Sequence, residues 1–194
     1  MRPLILFLCV LAAAAPCRAV DLHIQFAALQ RMLAEQAFTQ EGRRYVHGSK
    51  DNRCNFAYLE RPEVGGEGGR LKVRARFTGR TALDVFGRCV GLGDAFDVTI
   101  FATPLYRDGY IGLKDVRVDS NGRTGIYIRR VCAAMTQSLE KDFHYPVAAE
   151  ARRVLEDPGS HPDYRRQLHH FQVTGIRVSS DALVLAIDLA LVVR

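Results

Sequence analysis

The stretch "DALVLAIDLALVVR", Asp181 to Arg194, closes the chain and decides how the rest is read. Alternate positions carry Leu183, Leu185, Ile187, Leu189, Leu191 and Val193, while Val184, Ala186, Asp188, Ala190 and Val192 between them are mostly small. A period of two marks a β-strand, whose successive side chains point to opposite faces. At about 3.4 Å per residue such a strand spans roughly 40 Å, about twice the usual length. A ribbon so long, and so apolar on one face, needs a comparably long partner.

Further upstream, at 126–143, "IYIRRVCAAMTQSLEKDF" sets Ile128, Val131, Cys132, Met135, Leu139 and Phe143 at helical spacing. The spacing predicts a long helix over 125–143, spanning roughly 28 Å. Pro146 breaks it, and "VAAEARRVLED" resumes as a second helix ending near Pro158. "GSHPDYRRQ" reads as a loop. "LHHFQVTGIRV" then makes a final hairpin with the terminal strand, turning at Ser179, Ser180 and Asp181.

Asp108-Gly109 separates "FDVTIFATPLYR" from "YIGLKDVRV" and predicts a hairpin of strands 96–107 and 110–118, because Asp-Gly meets the φ > 0 demands of a two-residue turn. Pro104 cannot donate to a ladder, which predicts an edge or a bulge in the first arm. "RLKVRARF" alternates, with Leu71, Val73, Ala75 and Phe77 inward and Lys72, Arg74 and Arg76 toward water. The beginning, through Leu22, Ile24 and Phe26, reads as an extended lead-in followed by a helix at 26–37. Strands follow near 43–48 and 53–61, the second bounded by Pro62, and "GGEGG" at 65–69 reads as a flexible turn, since no helix opens after it onto a phosphate.

The expected architecture is α+β: a long curved antiparallel β-sheet wrapped around a long α-helix, an elongated half-barrel. In it the terminal aliphatic row lies along helix 125–143. Incomplete packing between the two leaves a lengthwise hydrophobic tunnel suited to an acyl chain or sterol, and complete packing leaves a plain core. The sequence fits either outcome.

Residues 1–19 have the make-up of a signal peptide: a basic start at Arg2, an apolar run from Leu4 to Ala15, and small residues leading to cleavage near Ala19. That apolar run is too short to span a bilayer. The expectation is a periplasmic or secreted protein whose residues 20–194 form a single domain. Setting aside Arg2 and Arg18 leaves 25 basic residues against 21 acidic, a charge of +4. This mild excess suits peripheral contact with an anionic membrane surface or an acidic ligand, and export argues against a nucleic-acid partner. Oligomeric state is open.

Cys54, Cys89 and Cys132 follow the leader. A Cys54–Cys89 disulfide is expected, since both cysteines fall in strand-like or turn-like stretches while Cys132 lies on the apolar side of a helix. Three reduced cysteines acting as small hydrophobes are the alternative.

Chemistry is sparse. There is no G-x-S-x-G elbow. His169 and His170 are adjacent, so on a strand they face opposite ways, a poor spacing for shared metal ligation that leaves His161, Asp163 and one of them as the only zinc candidates. Asp119-x-Asn121-Gly122 begins like a calcium loop but lacks its later acid. Gly91-x-Gly93 lacks the third glycine of a dinucleotide fingerprint. Cys132, on an apolar face, is poorly placed to form a thiolate. Asp188, interrupting the small face of the last strand, reads as solvent-facing or paired with an arginine. The expectation is no catalysis, no metal and no cofactor.

"AFDVTIFATPLYRDGYIGLKDVRVDSNG", followed by "IYIRRVCAAMTQSLEKDF", resembles the central stretch of YceB-like bacterial envelope proteins. These belong to the tubular lipid-binding superfamily, with SMP and BPI-like modules as relatives. The shared pattern is an apolar-Pro-apolar strand end, a turn, a strand carrying Gly109, Ile111, Leu113, Val116 and Val118, and then the helix. The resemblance implies a helix wrapped by a curved sheet and binding, or transfer between membranes, of a lipid or other hydrophobic molecule, with no catalytic residues. Unlike lipoprotein members, this chain has no clear lipidation cysteine. The expected hydrophobic lining is Phe26, Leu29, Leu33, Phe77, Ile100, Val116, Ile128, Met135, Leu139, Leu185, Ile187 and Leu189. The competing expectation is a structural or protein-interaction module with a fully packed core and no ligand.

Overall fold

The computed structural model describes residues 20–157 and 165–194, so residues 1–19, expected to be a signal peptide, and His161 and Asp163 lie outside the described residues. The fold is α+β, with antiparallel strands curled into a half-barrel and three helices. In chain order the elements are β1 (Val20–Gln25), α1 (Phe26–Gln36), β2 (Arg43–His47), β3 (Asn55–Glu67), β4 (Arg70–Val85), β5 (Arg88–Arg107), β6 (Tyr110–Asp119), α2 (Ile126–Asp142), α3 (Val147–Glu156), β7 (Arg166–Val178) and β8 (Ala182–Val193). Strands β2 to β6 form one sheet in sequence order, and β1, β8 and β7 form a second with the terminal strand at its centre.

Local chemistry accounts for most of these boundaries. Asp108 and Gly109 adopt φ of 52° and 88°, the left-handed pair that a tight hairpin needs. Pro104 sits past Ala102, the last residue of β5 that pairs with β4, and beside a register slip against β6. Its missing N–H costs little there.

Strand β3 differs from expectation in two ways. Pro62 does not bound β3; it lies within the strand, where the register slips between Glu60 and Glu63. The glycine run is also mostly strand, with the turn confined to Gly68 and Gly69. The reason is packing: a Cβ on Gly66 would come 2.6 Å from the Ser179 carbonyl oxygen and 2.9 Å from the Phe26 ring. The β7–β8 turn and the start of α1 close down on β3 at Gly66, which has no side chain to keep them off.

Two apolar clusters hold the molecule together. In the first, Ile128 and Met135 of α2 join Phe77, Phe96, Val98, Ile100 and Val116 from the five-stranded sheet, with Leu33, Val131, Cys132 and Leu139 packed against them. In the second, Leu183, Leu185 and Ile187 of β8 join Val173 and Ile111, with Tyr106, Tyr145, Val147 and Phe171 packed around.

The terminal row therefore does not lie along helix 125–143. An amphipathic helix buries one stripe, and α2 spends its stripe on the five-stranded sheet. Its other face carries Arg129, Arg130, Gln137 and Lys141 and offers nothing to an aliphatic row. The row finds its partners instead on β5, β6 and the start of α3.

Each helix is also tied to a strand where a ladder is irregular. Gln30 Oε1 accepts from the Val64 amide at 3.4 Å, Glu140 Oε1 from Val116 at 2.9 Å, and Glu156 Oε1 from Leu168 at 2.8 Å. All three amides lie beside register slips of β3, β6 and β7. A bulge releases an amide from its ladder, and a long polar side chain from the covering helix takes it up.

Candidate functional site

The two longest strands, β4 and β5, pair along their whole common length to Val85 opposite Arg88. On β4 the odd-numbered residues face the interior, and on β5 the even-numbered ones do. Thus Ala75, Phe77, Phe96, Val98 and Ile100 are buried together beneath α2. Helix α2 begins near Gly79, where a Cβ would lie 3.2 Å from the Tyr127 hydroxyl. Burial, with the charge of Asp94 adding to it, pushes that phenol above its ordinary range.

Past this level the same inner face continues without cover. Thr81 stands opposite Leu92, Leu83 opposite Val90, and Val85 opposite Arg88. Leu83 is 76% exposed, Leu92 66% and Val90 62%. Phe86, at the turn, touches almost nothing. No strand is expected from the sequence between "RLKVRARF" and residue 96, so this projecting hairpin is a departure from expectation. Its signal was present all the same: Leu83 and Val85 alternate toward Phe86-Gly87, and Val90 and Leu92 alternate away from it.

The expected disulfide is formed: Cys54, just ahead of β3, joins Cys89 of β5, with Cα atoms 5.2 Å apart. Cys89 lies opposite Asp84, on the outer face of the hairpin. The bond braces the hairpin close to its tip and leaves the apolar face free.

The expected lining is divided between the two clusters. Leu33, Phe77, Ile100, Val116, Ile128, Met135 and Leu139 belong to the first, Leu185 and Ile187 to the second. Phe26 is buried against Gly66, outside both, Leu29 is half-buried, and Leu189 is exposed. Among the described residues the expected lining therefore does not form one continuous cluster. Like Leu189, Val20, Leu22 and Val193 on β1 and β8 are exposed.

Two depressions are clear on the described residues, and neither is an apolar tunnel. One, of about 710 Å³, lies on the outer face of the five-stranded sheet. It is lined by Arg61, Lys72, Arg74 and Arg76 together with Glu63, Asp97 and Asp119. Arg76 reaches Asp97 at 3.3 Å, and Lys72 pairs with Glu67 and lies 5.6 Å from the Phe101 ring centre. Charges so evenly matched make a solvated face. The other, of about 240 Å³, lies between the Asp108-Gly109 turn and α3.

The residues considered for chemistry lie apart. His170 Nε2 is 3.5 Å from Asp188 Oδ2 across the β7–β8 pair, so the acid expected to face solvent or an arginine has a histidine among its neighbours. Asn121 Oδ1 accepts from the Thr99 hydroxyl at 3.0 Å, and the Asn121 amide donates to Asp119 at 2.8 Å. These bonds make a structural turn of the stretch that begins like a calcium loop. Burial, and then the Asp119 charge, push the Cys132 thiol above its ordinary range, which suppresses thiolate chemistry. Among the described residues no three His, Cys, Asp or Glu side chains gather to hold a metal ion, and no helix is long and apolar enough to cross a membrane.

No protein-family model, curated protein or solved structure matches the chain.

Proposed function

We propose that the protein binds a lipid or other hydrophobic molecule of the cell envelope without catalysing a reaction, and holds it on the uncovered inner face of the β4–β5 hairpin. In this reading α2 and the curved sheet around it are the closed end of an elongated half-barrel, and the hairpin is its open end. The supporting observation is the row Leu83, Val90 and Leu92, exposed on the very face that buries Phe77 and Phe96. The resemblance of residues 95–143 to tubular lipid-binding proteins implies the same function, and the make-up of residues 1–19 suggests a periplasmic or secreted setting.

Covering each of those three side chains contributes about 1.5–3 kcal/mol. After the cost of association this supports only weak binding, as suits transfer rather than storage. Titration with a fluorescent fatty acid is the test. The wild type binds, and the double variant Leu83→Ser/Leu92→Ser, whose changed side chains are solvent-exposed, stays folded and binds far less. Equal binding by both would refute the site.

A second reading, an interaction module without a ligand, is favoured by the dense interior: Phe77, Val98, Val184 and Leu185 are almost wholly buried. Native mass spectrometry separates the two. A co-purifying lipid supports the first reading, and its repeated absence together with failure in the titration supports the second.

A further inference from the structure

We infer that the hairpin tip is a wedge that enters the interface of an anionic bilayer. The inference builds on the proposed hydrophobic-binding face and names its partner. Three independent observations point to it.

The first is backbone strain. Phe86 and Gly87 adopt φ of 52° and 76°, the left-handed pair of a two-residue hairpin turn. Glycine takes this conformation freely and asparagine or aspartate readily, whereas a bulky aromatic is disfavoured there. The Asp84 carboxylate accepts from the Gly87 amide at 2.8 Å and holds the turn. Phe86 gains no contact within the fold in return for its strained placement. An aromatic ring held out at a strained position fits contact with something outside the chain.

The second is shape. The tip is a protrusion, with no hollow into which a rigid partner would fit. Phe86 is its apex, and Val85, Leu83 and Val90 follow behind it. A fluid interface accommodates such a point without a matching surface. The two arms satisfy each other's backbone groups as far as Val85 and Arg88. The outer edge of β4 is unpaired beyond Thr81, and that of β5 is unpaired from Arg88 to Val98. Those free edges restrict the wedge to shallow insertion, because unpaired backbone groups are costly in hydrocarbon.

The third is charge. Arg88 stands beside Val85 on the apolar face and Arg80 on the opposite face nearer the base, against a single acid, Asp84, already engaged in the turn. Guanidinium groups on flexible stems reach back to lipid phosphates while the apex sits among acyl chains. The Cys54–Cys89 bond keeps the hairpin in shape before it meets the membrane, so little ordering entropy is lost on insertion.

The test is flotation with vesicles of phosphatidylcholine containing phosphatidylglycerol, and with phosphatidylcholine alone. The wild type should float with the anionic vesicles, less so at high salt, and poorly with phosphatidylcholine. Phe86→Asn should lower partitioning about tenfold or more, the equivalent of losing one buried aromatic side chain. Its melting temperature should hold or rise, because asparagine accepts the left-handed turn. Arg88→Gln should flatten the preference for anionic vesicles. Flotation of Phe86→Asn equal to that of the wild type would overturn the wedge, and so would a dimer that dissociates on this substitution, since the apex would then belong to a second copy. The fatty-acid titration runs on the same samples. Fatty-acid binding without flotation defeats the wedge alone, and loss of both in the wild type defeats the binding face as well.

Discussion

Phe77 and Leu83 lie on one strand and one face, yet Phe77 is 1% exposed and Leu83 76%. Six residues of β-strand, roughly 20 Å, separate them. The difference comes from α2: where the helix covers the sheet, the inner face is interior, and beyond its first turn the same alternation becomes surface. The lesson is that an apolar period reports a face without reporting what covers it. The covered part should carry stability, and the bare part function.

The sharpest way to break this contrast is paired truncation. Met135→Ala, under the sheet, should cost about 2–5 kcal/mol in chemical denaturation, from lost burial and the cavity left behind. Leu83→Ala should stay within about 0.5 kcal/mol of the wild type, as an exposed substitution does. Similar losses at both sites would mean that the hairpin face is covered in solution.

Next in size is the brace. Replacing Cys54 and Cys89 by serine releases a crosslink that spans 35 residues. Loop-closure entropy puts the loss at up to about 4 kcal/mol. If the bond acts on the hairpin as placed here, amide exchange should quicken first between residues 81 and 92. Uniform quickening across the five-stranded sheet would show that the bond serves the covered region instead.

Gly66→Val tests the closure of β3 against the β7–β8 turn. The added side chain meets a backbone carbonyl, which cannot swing aside, so a loss of about 1–3 kcal/mol is expected in thermal or urea unfolding. Fatty-acid binding at the hairpin should survive in the folded fraction.

The smallest expected effect is electrostatic. Arg123, by its hydrogen bond, and then the Ala95 amide hold the Asp94 carboxyl below the usual carboxylate range where α2 begins. A depressed folded-state pKa means that its contribution is present above the unfolded pKa and fades as pH falls through the folded one. Asp94→Asn should therefore remove a small part of the acid sensitivity of unfolding below about pH 4. An unchanged acid limb would show that the pair contributes nothing in solution, as exposed pairs often do.

Much of the fold was legible because its elements have clean periods. The helices at 26–37 and 125–143 and the Asp108-Gly109 hairpin follow from spacing and turn chemistry alone, and β8 from strict alternation. Glycine hid the rest. Gly79, Gly87, Gly91 and Gly93 punctuate the projecting hairpin and make it read as loop, whereas Gly91 allows close cross-strand approach: a Cβ there would meet the Thr81 carbonyl at 2.3 Å. The glycines of β3 misled in the same way. The partner of the terminal row was not legible either, since two amphipathic elements both seek burial and only the tertiary arrangement decides whether they meet. For the site, most of the lining expected from the sequence is buried in the two clusters, and Leu83, Val90 and Leu92, the bare face proposed here, are not legible because their strand is not.

The most direct test of a bare functional face beside a covered structural one is NMR with a spin-labelled fatty acid. Amides of residues 81–92 should broaden, while those around Ile128, Met135 and Leu185 stay sharp. Broadening centred on α2 and the buried core would place the ligand in an interior channel and contradict the division. No broadening anywhere at saturating fatty acid would remove the ligand altogether.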